Sequence, residues 1–66
     1  METKALRLFM VLAEELHFSR AARRAGVTQS ALSGQIKRLE DRVGGALFQR
    51  TTRDVRLTET GAELRR

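Results

Sequence analysis

Apolar residues recur at three- and four-residue steps through Leu6, Phe9, Met10, Ala13 and Leu16, which predicts a helix with Thr3 as its N-cap. Ser19 then caps a short helix over residues 20–25, where Ala21, Ala22 and Ala25 permit close approach to a neighbour and Gly26 supplies a left-handed stop. Thr28 caps a third helix that keeps Leu32, Ile36, Leu39 and Val43 on one stripe and ends at Gly44 and Gly45. Beyond Ala46 the stretch LFQRTTRDVRL alternates. Phe48, Val55 and Leu57 face inward and Gln49, Arg53 and Arg56 outward, as in a hairpin that turns around Thr51 to Asp54. Thr58 caps a fourth helix, TETGAELRR, which reaches Arg66 in mid-pattern, as expected of a piece of a longer chain.

Helix, short helix, glycine turn, longer helix and basic hairpin form the order of a winged helix-turn-helix. The predicted fold is mainly α: a three-helix core, a two-stranded β-hairpin wing and the start of a fourth helix. With 66 residues the chain is one domain at most, and without cysteine neither disulfides nor thiolate metal sites staple it. An apolar fraction of 41% beside 32% charged residues places it among globular domains rather than disordered tails. No run has the length of a membrane span and the N-terminus has no cleavage-like site, so a soluble, cytoplasmic protein is expected, with no membrane partner.

Charge changes the picture through its placement. Residues 20–56 hold nine Lys or Arg against Glu40, Asp41 and Asp54, a surplus of six in a chain whose net charge is +5. A basic middle between nearly neutral flanks suits a polyanion; a solvated charged face is the alternative that charge leaves open. The third helix sharpens the choice. Opposite its apolar stripe fall Ser30, Ser33, Gly34, Lys37 and Asp41, with Arg38 at the margin. Small hydroxyls and a glycine are poor helix surface, and a glycine costs about 1 kcal/mol relative to alanine.

A closely approaching surface explains that choice of residues. Thr28, Gln29 and Ser30 lie at the positive end of the helix, where an anion binds, and Gln29 and Gln35 carry amides able to pair with adenine in a major groove. Arg50, Arg53 and Arg56 make the hairpin a wing for a phosphate backbone or minor groove. Double-stranded DNA offers all these partners. The candidate DNA-contacting residues are therefore Thr28, Gln29, Ser30, Ser33, Gly34, Gln35, Lys37 and Arg38 on the third helix, Arg50, Thr52, Arg53 and Arg56 on the wing, and Ser19 and Arg20 at the start of the second helix. Solvated surface residues and a charged hairpin that discourages edge aggregation are the plain readings of the same positions. A protein-interaction module with an acidic partner is a further alternative, against which the polar third-helix face argues.

Catalysis finds no constellation. His17 is the one histidine, no G-x-S-x-G or phosphate-cradling glycine motif occurs, and scattered carboxylates make no metal site. His17 reads as a residue near a helix C-terminus. Glu14 and Glu15 read as a solvated face, and Glu40 or Asp41 as partners of a nearby arginine.

The series FSRAARRAGVTQSALSGQIKRLEDRVGGALFQRTTRDVRLTETG, with Leu6 and Phe9 before it, resembles the N-terminal DNA-binding domain of LysR-type transcriptional regulators over nearly the whole chain. Its most telling pieces are Phe18-Ser19 with Ala21-Ala22, Val27 to Ser30, Ser33 with Gln35-Ile36, Leu39-Glu40, Gly44, Leu47-Phe48, Arg50, and Leu57-Thr58 with Gly61. The resemblance implies a bacterial regulator whose third helix enters the major groove of operator DNA and whose wing approaches the minor groove. It implies residues 1–58 as the DNA-binding domain and 59–66 as the truncated start of a linker helix that pairs subunits into a homodimer or tetramer. No cofactor is expected in this domain; a small-molecule inducer is expected for an effector domain that this chain lacks. Another winged-helix regulator, such as the molybdate-responsive type, is similar in its N-terminal domain.

Departures from the family pattern bear on specificity and stability. Gly34 stands where the family often carries arginine, which moves a base contact to Gln35, Lys37 or Arg38 or removes it. Gly45-Ala46 replaces a pair ending in proline, and Ala25 stands where leucine is common.

Overall fold

A computed structural model describes residues 3–66. It contains α1 (Thr3–Glu15), α2 (Phe18–Ala25), α3 (Gln29–Val43), β1 (Phe48–Arg50), β2 (Val55–Leu57) and α4 (Glu59–Arg65) in that order. The first three helices pack around one core, and the two strands form an antiparallel hairpin beside it with Phe48 opposite Leu57, Gln49 opposite Arg56 and Arg50 opposite Val55.

Local chemistry sets most boundaries. Thr28 Oγ1 accepts the Ala31 amide at 3.0 Å and starts α3, and Gly44 ends it in the left-handed region at φ 79°. Gly26 ends α2 in the same way at φ 73°, with the Val27 amide donating to the Ala22 carbonyl at 3.0 Å. Three residues therefore turn the chain from α2 into α3. Thr58 Oγ1 accepts the Gly61 amide at 3.0 Å to start α4 and donates to the Ala46 carbonyl at 2.6 Å.

The start of α2 differs from the expected one. Its cap is His17, whose Nδ1 accepts the Arg20 amide at 3.2 Å and lies 3.1 Å from Ser19 Oγ, while Ser19 falls inside the helix. A neutral imidazole nitrogen accepts as an asparagine oxygen does. His17 thus opens a helix instead of closing one. Helix α1 includes Thr3 as a helical residue rather than as the expected cap.

The core draws Ala5, Leu8, Phe9, Leu12 and Ala13 from α1, Phe18, Ala21 and Ala22 from α2, Leu32, Ile36 and Leu39 from α3, and Leu47 and Phe48 from the wing's root. The α3 stripe agrees with the spacing argument. For α1 the phase is corrected: Phe9 and Ala13 are buried, but Leu6 is half-buried and Met10 and Leu16 are exposed. Apolar residues surround much of this helix, so two stripes about one residue apart both satisfy the period. Arg7 and Glu14, on the face away from Leu12, mark the right one. Leu16 lies beyond the helix at φ 50°, with its amide donating to the Leu12 carbonyl at 2.7 Å.

Carboxylates take unexpected partners. Glu14 and Glu15, expected as a solvated face, hold the Arg24 guanidinium at 2.6 and 3.1 Å, which ties α1 to α2. The hydrogen bond to Glu14, then that to Glu15, raises the Arg24 pKa above its ordinary value. Glu40 accepts the backbone amides of Leu47 at 2.8 Å and Phe48 at 3.4 Å rather than an arginine, and so anchors the wing's root to α3. Asp41 pairs with Lys37 at 3.7 Å, again not with an arginine.

Candidate nucleic-acid interface

The α3 helix exposes one face to solvent. Thr28, Gln29, Ser30, Gly34, Lys37 and Arg38 are exposed, and Ser33 and Gln35 are half-buried at its margins. At about 100° per residue, Gln29 and Ser33 fall on one flank of this face. Gln35 falls about 160° around the helix from Ser33, so the two amides thought able to read bases lie on different flanks. Ala31 is also exposed, near the helix N-terminus. Nothing in the sequence marks it, because alanine is ordinary helix surface, although its methyl suits contact with a thymine methyl.

The Gln29 flank opens toward the wing. Gln29 shares an open groove of about 250 Å³ with His17, Ser19 and the wing residues Arg50 to Val55. Ser19, Gln29, Arg50, Thr52 and Arg53 therefore line one depression, although they come from three separate stretches of chain. His17 belongs to this group and was missed as a candidate, since a lone histidine carries no positional signal.

Thr51 shapes the tip of the wing. Its amide donates to the Asp54 carbonyl at 2.8 Å, and its hydroxyl oxygen accepts the Asp54 amide at 2.9 Å and the Arg53 amide at 3.3 Å. That turn displays Thr52 and Arg53, both exposed.

The cations differ in how far they are committed. Arg24 is held by two carboxylates, whereas Arg20 only approaches Glu15 at 4.0 Å and Arg56 approaches Asp54 at 3.8 Å. The last two pairs, and Lys37 with Asp41, are solvent-exposed contacts that an anion displaces at little cost. Arg38 and Arg53 have no carboxylate partner among the described residues. Arg50 lies over the ring of Phe18, its guanidinium carbon 3.9 Å from the ring centre. Free or weakly held positive charge thus borders the polar α3 face.

Gly34 is open to solvent, and a Cβ built there meets nothing within 4 Å. The fold does not demand glycine at this point. Gly34→Ala is expected to stabilise the chain by about 1 kcal/mol, read as a higher melting temperature.

Among the described residues no cluster of His, Cys, Asp or Glu suits a metal ion, and no helix is long and apolar enough to cross a membrane.

Comparison with known proteins gives one consistent result. The profile of the bacterial regulatory helix-turn-helix proteins of the lysR family matches residues 3–62. The transcriptional regulator BudR of Klebsiella aerogenes is 56% identical over 61 residues, which cover 92% of this chain and 43% of BudR. Other curated relatives are matched over 20–22% of their length. Among solved structures, the CbnR DNA-binding domain in complex with DNA superposes with a TM-score of 0.93 at 32% identity, covering 98% of this chain and 75% of that one. The BenM DNA-binding domain with catB site 1 DNA gives a TM-score of 0.93 at 37% identity, covering 98% and 72%.

Proposed function

We infer, for a chain that belongs to the lysR family of bacterial regulatory helix-turn-helix proteins, a function in sequence-specific binding of double-stranded DNA that regulates transcription. One observation carries this reading: the polar, sterically open face of α3 lies beside a wing whose Arg53 is unpaired among the described residues, with an open groove between them. In this reading α3 occupies the major groove, and Arg50, Thr52, Arg53 and Arg56 follow the backbone or reach the minor groove. The similarity to two domains solved with DNA supports it.

The family is one of transcriptional regulators rather than an enzyme class, and we assign this chain no catalytic role. Residues 1–58 act as the DNA-binding unit and 59–66 as the beginning of a linker through which the whole protein forms a dimer or tetramer in the cytoplasm. The much greater length of the curated relatives supports a separate effector region that takes a small-molecule inducer.

Selection from a random pool of duplexes at about 0.15 M salt, where purely electrostatic binding is weakened, tests the proposal. An enriched half-site or inverted repeat is the expected result; failure to retain any duplex even at low salt overturns it. Within the selected site, Gln29→Ala is expected to cost about 1–3 kcal/mol and to loosen the preference at one base pair. Arg53→Ala is expected to weaken every sequence and to lower the slope of log K against log salt by about 0.9. Equal, sequence-independent losses for both would contradict this division between base and backbone contacts.

A further inference from the structure

We propose that Phe18 is a positioning residue for DNA binding, which holds Arg50 preset as a donor to a backbone phosphate; this rests on the DNA-binding reading above. Phe18 opens α2 and is only 7% exposed, with its ring among the core residues. Arg50 ends β1 opposite Val55, at the last pair of the wing's ladder before the turn. Across 32 residues of sequence its guanidinium carbon comes to 3.9 Å from the centre of the Phe18 ring, well within cation–π range.

The ring restrains the guanidinium without using its hydrogens. An aromatic face has no oxygen acceptor, and no side-chain hydrogen bond or ion pair of Arg50 is found among the described residues. The planar fork of five N–H donors is therefore unspent, in contrast with the Arg24 fork, which Glu14 and Glu15 consume. Arg50 borders the groove that Ser19, Gln29 and Thr52 also line.

Such an arrangement has a physical use. A free arginine loses rotamer entropy when it closes on a phosphate, and one already held against a ring has lost much of it on folding. The stack also ties the far end of a hairpin with three-residue strands to the helix-turn-helix, where so short a ladder is weak by itself. Lysine keeps the charge but neither the planar fork nor the stack.

A salt series of fluorescence-anisotropy titrations with a mixed-sequence duplex tests the proposal, with circular-dichroism melts on every variant. Arg50→Ala is expected to bind about tenfold more weakly, with the salt slope reduced by about 0.9. Arg50→Lys and Phe18→Leu are each expected to lose about threefold at nearly unchanged slope, and the Phe18→Leu, Arg50→Ala double variant to bind no more weakly than Arg50→Ala alone. Multiplying losses in the double variant would show that Phe18 acts through the core alone and overturn the proposal. An Arg50→Lys chain that binds like the parent would overturn it too, and that variant decides the matter if Phe18→Leu does not fold. Parent binding with an unchanged slope for Arg50→Ala sinks this proposal and spares DNA binding, whereas absence of any salt-dependent parent binding sinks the DNA-binding reading itself.

Discussion

A Gly61→Ala chain is expected to melt about 10–20 °C below the parent, a loss of about 2–3 kcal/mol in a domain of this size. A Cβ at position 61 runs into the Leu47 carbonyl oxygen and stands 2.7 Å from Leu57 Cδ1 and 3.1 Å from its Cγ. Leu57, half-buried, yields by a change of rotamer. The Leu47 backbone does not, because its amide is bound to Glu40 and its carbonyl accepts the Thr58 amide at 3.0 Å. Relief therefore comes from moving α4 away from the wing's root, which costs more than the about 1 kcal/mol that alanine gains over glycine as a helix former. Circular-dichroism melts of Gly61→Ala beside Gly34→Ala make the comparison internal. The same substitution in two helices is expected to act in opposite directions, and an unchanged Gly61→Ala melt would show that α4 does not depend on this contact.

Phe9→Ala has the largest expected effect, about 3–5 kcal/mol. Phe9 is fully buried in α1, and its ring centre lies 5.5 Å from that of Phe48 at an interplanar angle of 53°, so it joins the helical core to the wing. A chain of 66 residues has a total stability on the order of 3–10 kcal/mol, and this one substitution removes a large part of it. Urea denaturation is expected to show a midpoint near zero denaturant for Phe9→Ala. Met10→Ala, next along the same helix but 38% exposed, is expected to change stability by about 0.5 kcal/mol or less. Similar losses at both positions would mean that α1 is rotated toward the stripe first read from its spacing.

That contrast shows where sequence reasoning reaches its limit. In α3 the stripe of Leu32, Ile36 and Leu39 was legible because polar and small residues occupy the rest of the circumference. In α1 apolar residues on several faces left the phase to packing against the other helices. The candidate site divides likewise. Ser30, Ser33 and Gly34 could be picked out on one helix face, and spacing alone sets Gln35 apart from Ser33, but nothing in it places Gln29 in a groove with Ser19 and Thr52.

What the sequence by itself determined is the order of elements and their punctuation: Thr28 and Thr58 as caps, Gly26 and Gly44 as left-handed stops, and the hairpin's inward Phe48 and outward Gln49. These depend on neighbours within a turn or along a strand, whose geometry any chain with those residues shares. Only the tertiary structure decided that Arg24 serves Glu14 and Glu15, that Glu40 holds the Leu47 amide, that Arg50 rests on Phe18 and that Gly61 admits no side chain. Each of these joins residues from different elements. Charge and ring alone name several eligible partners, and the packing of the core selects among them by bringing one within reach.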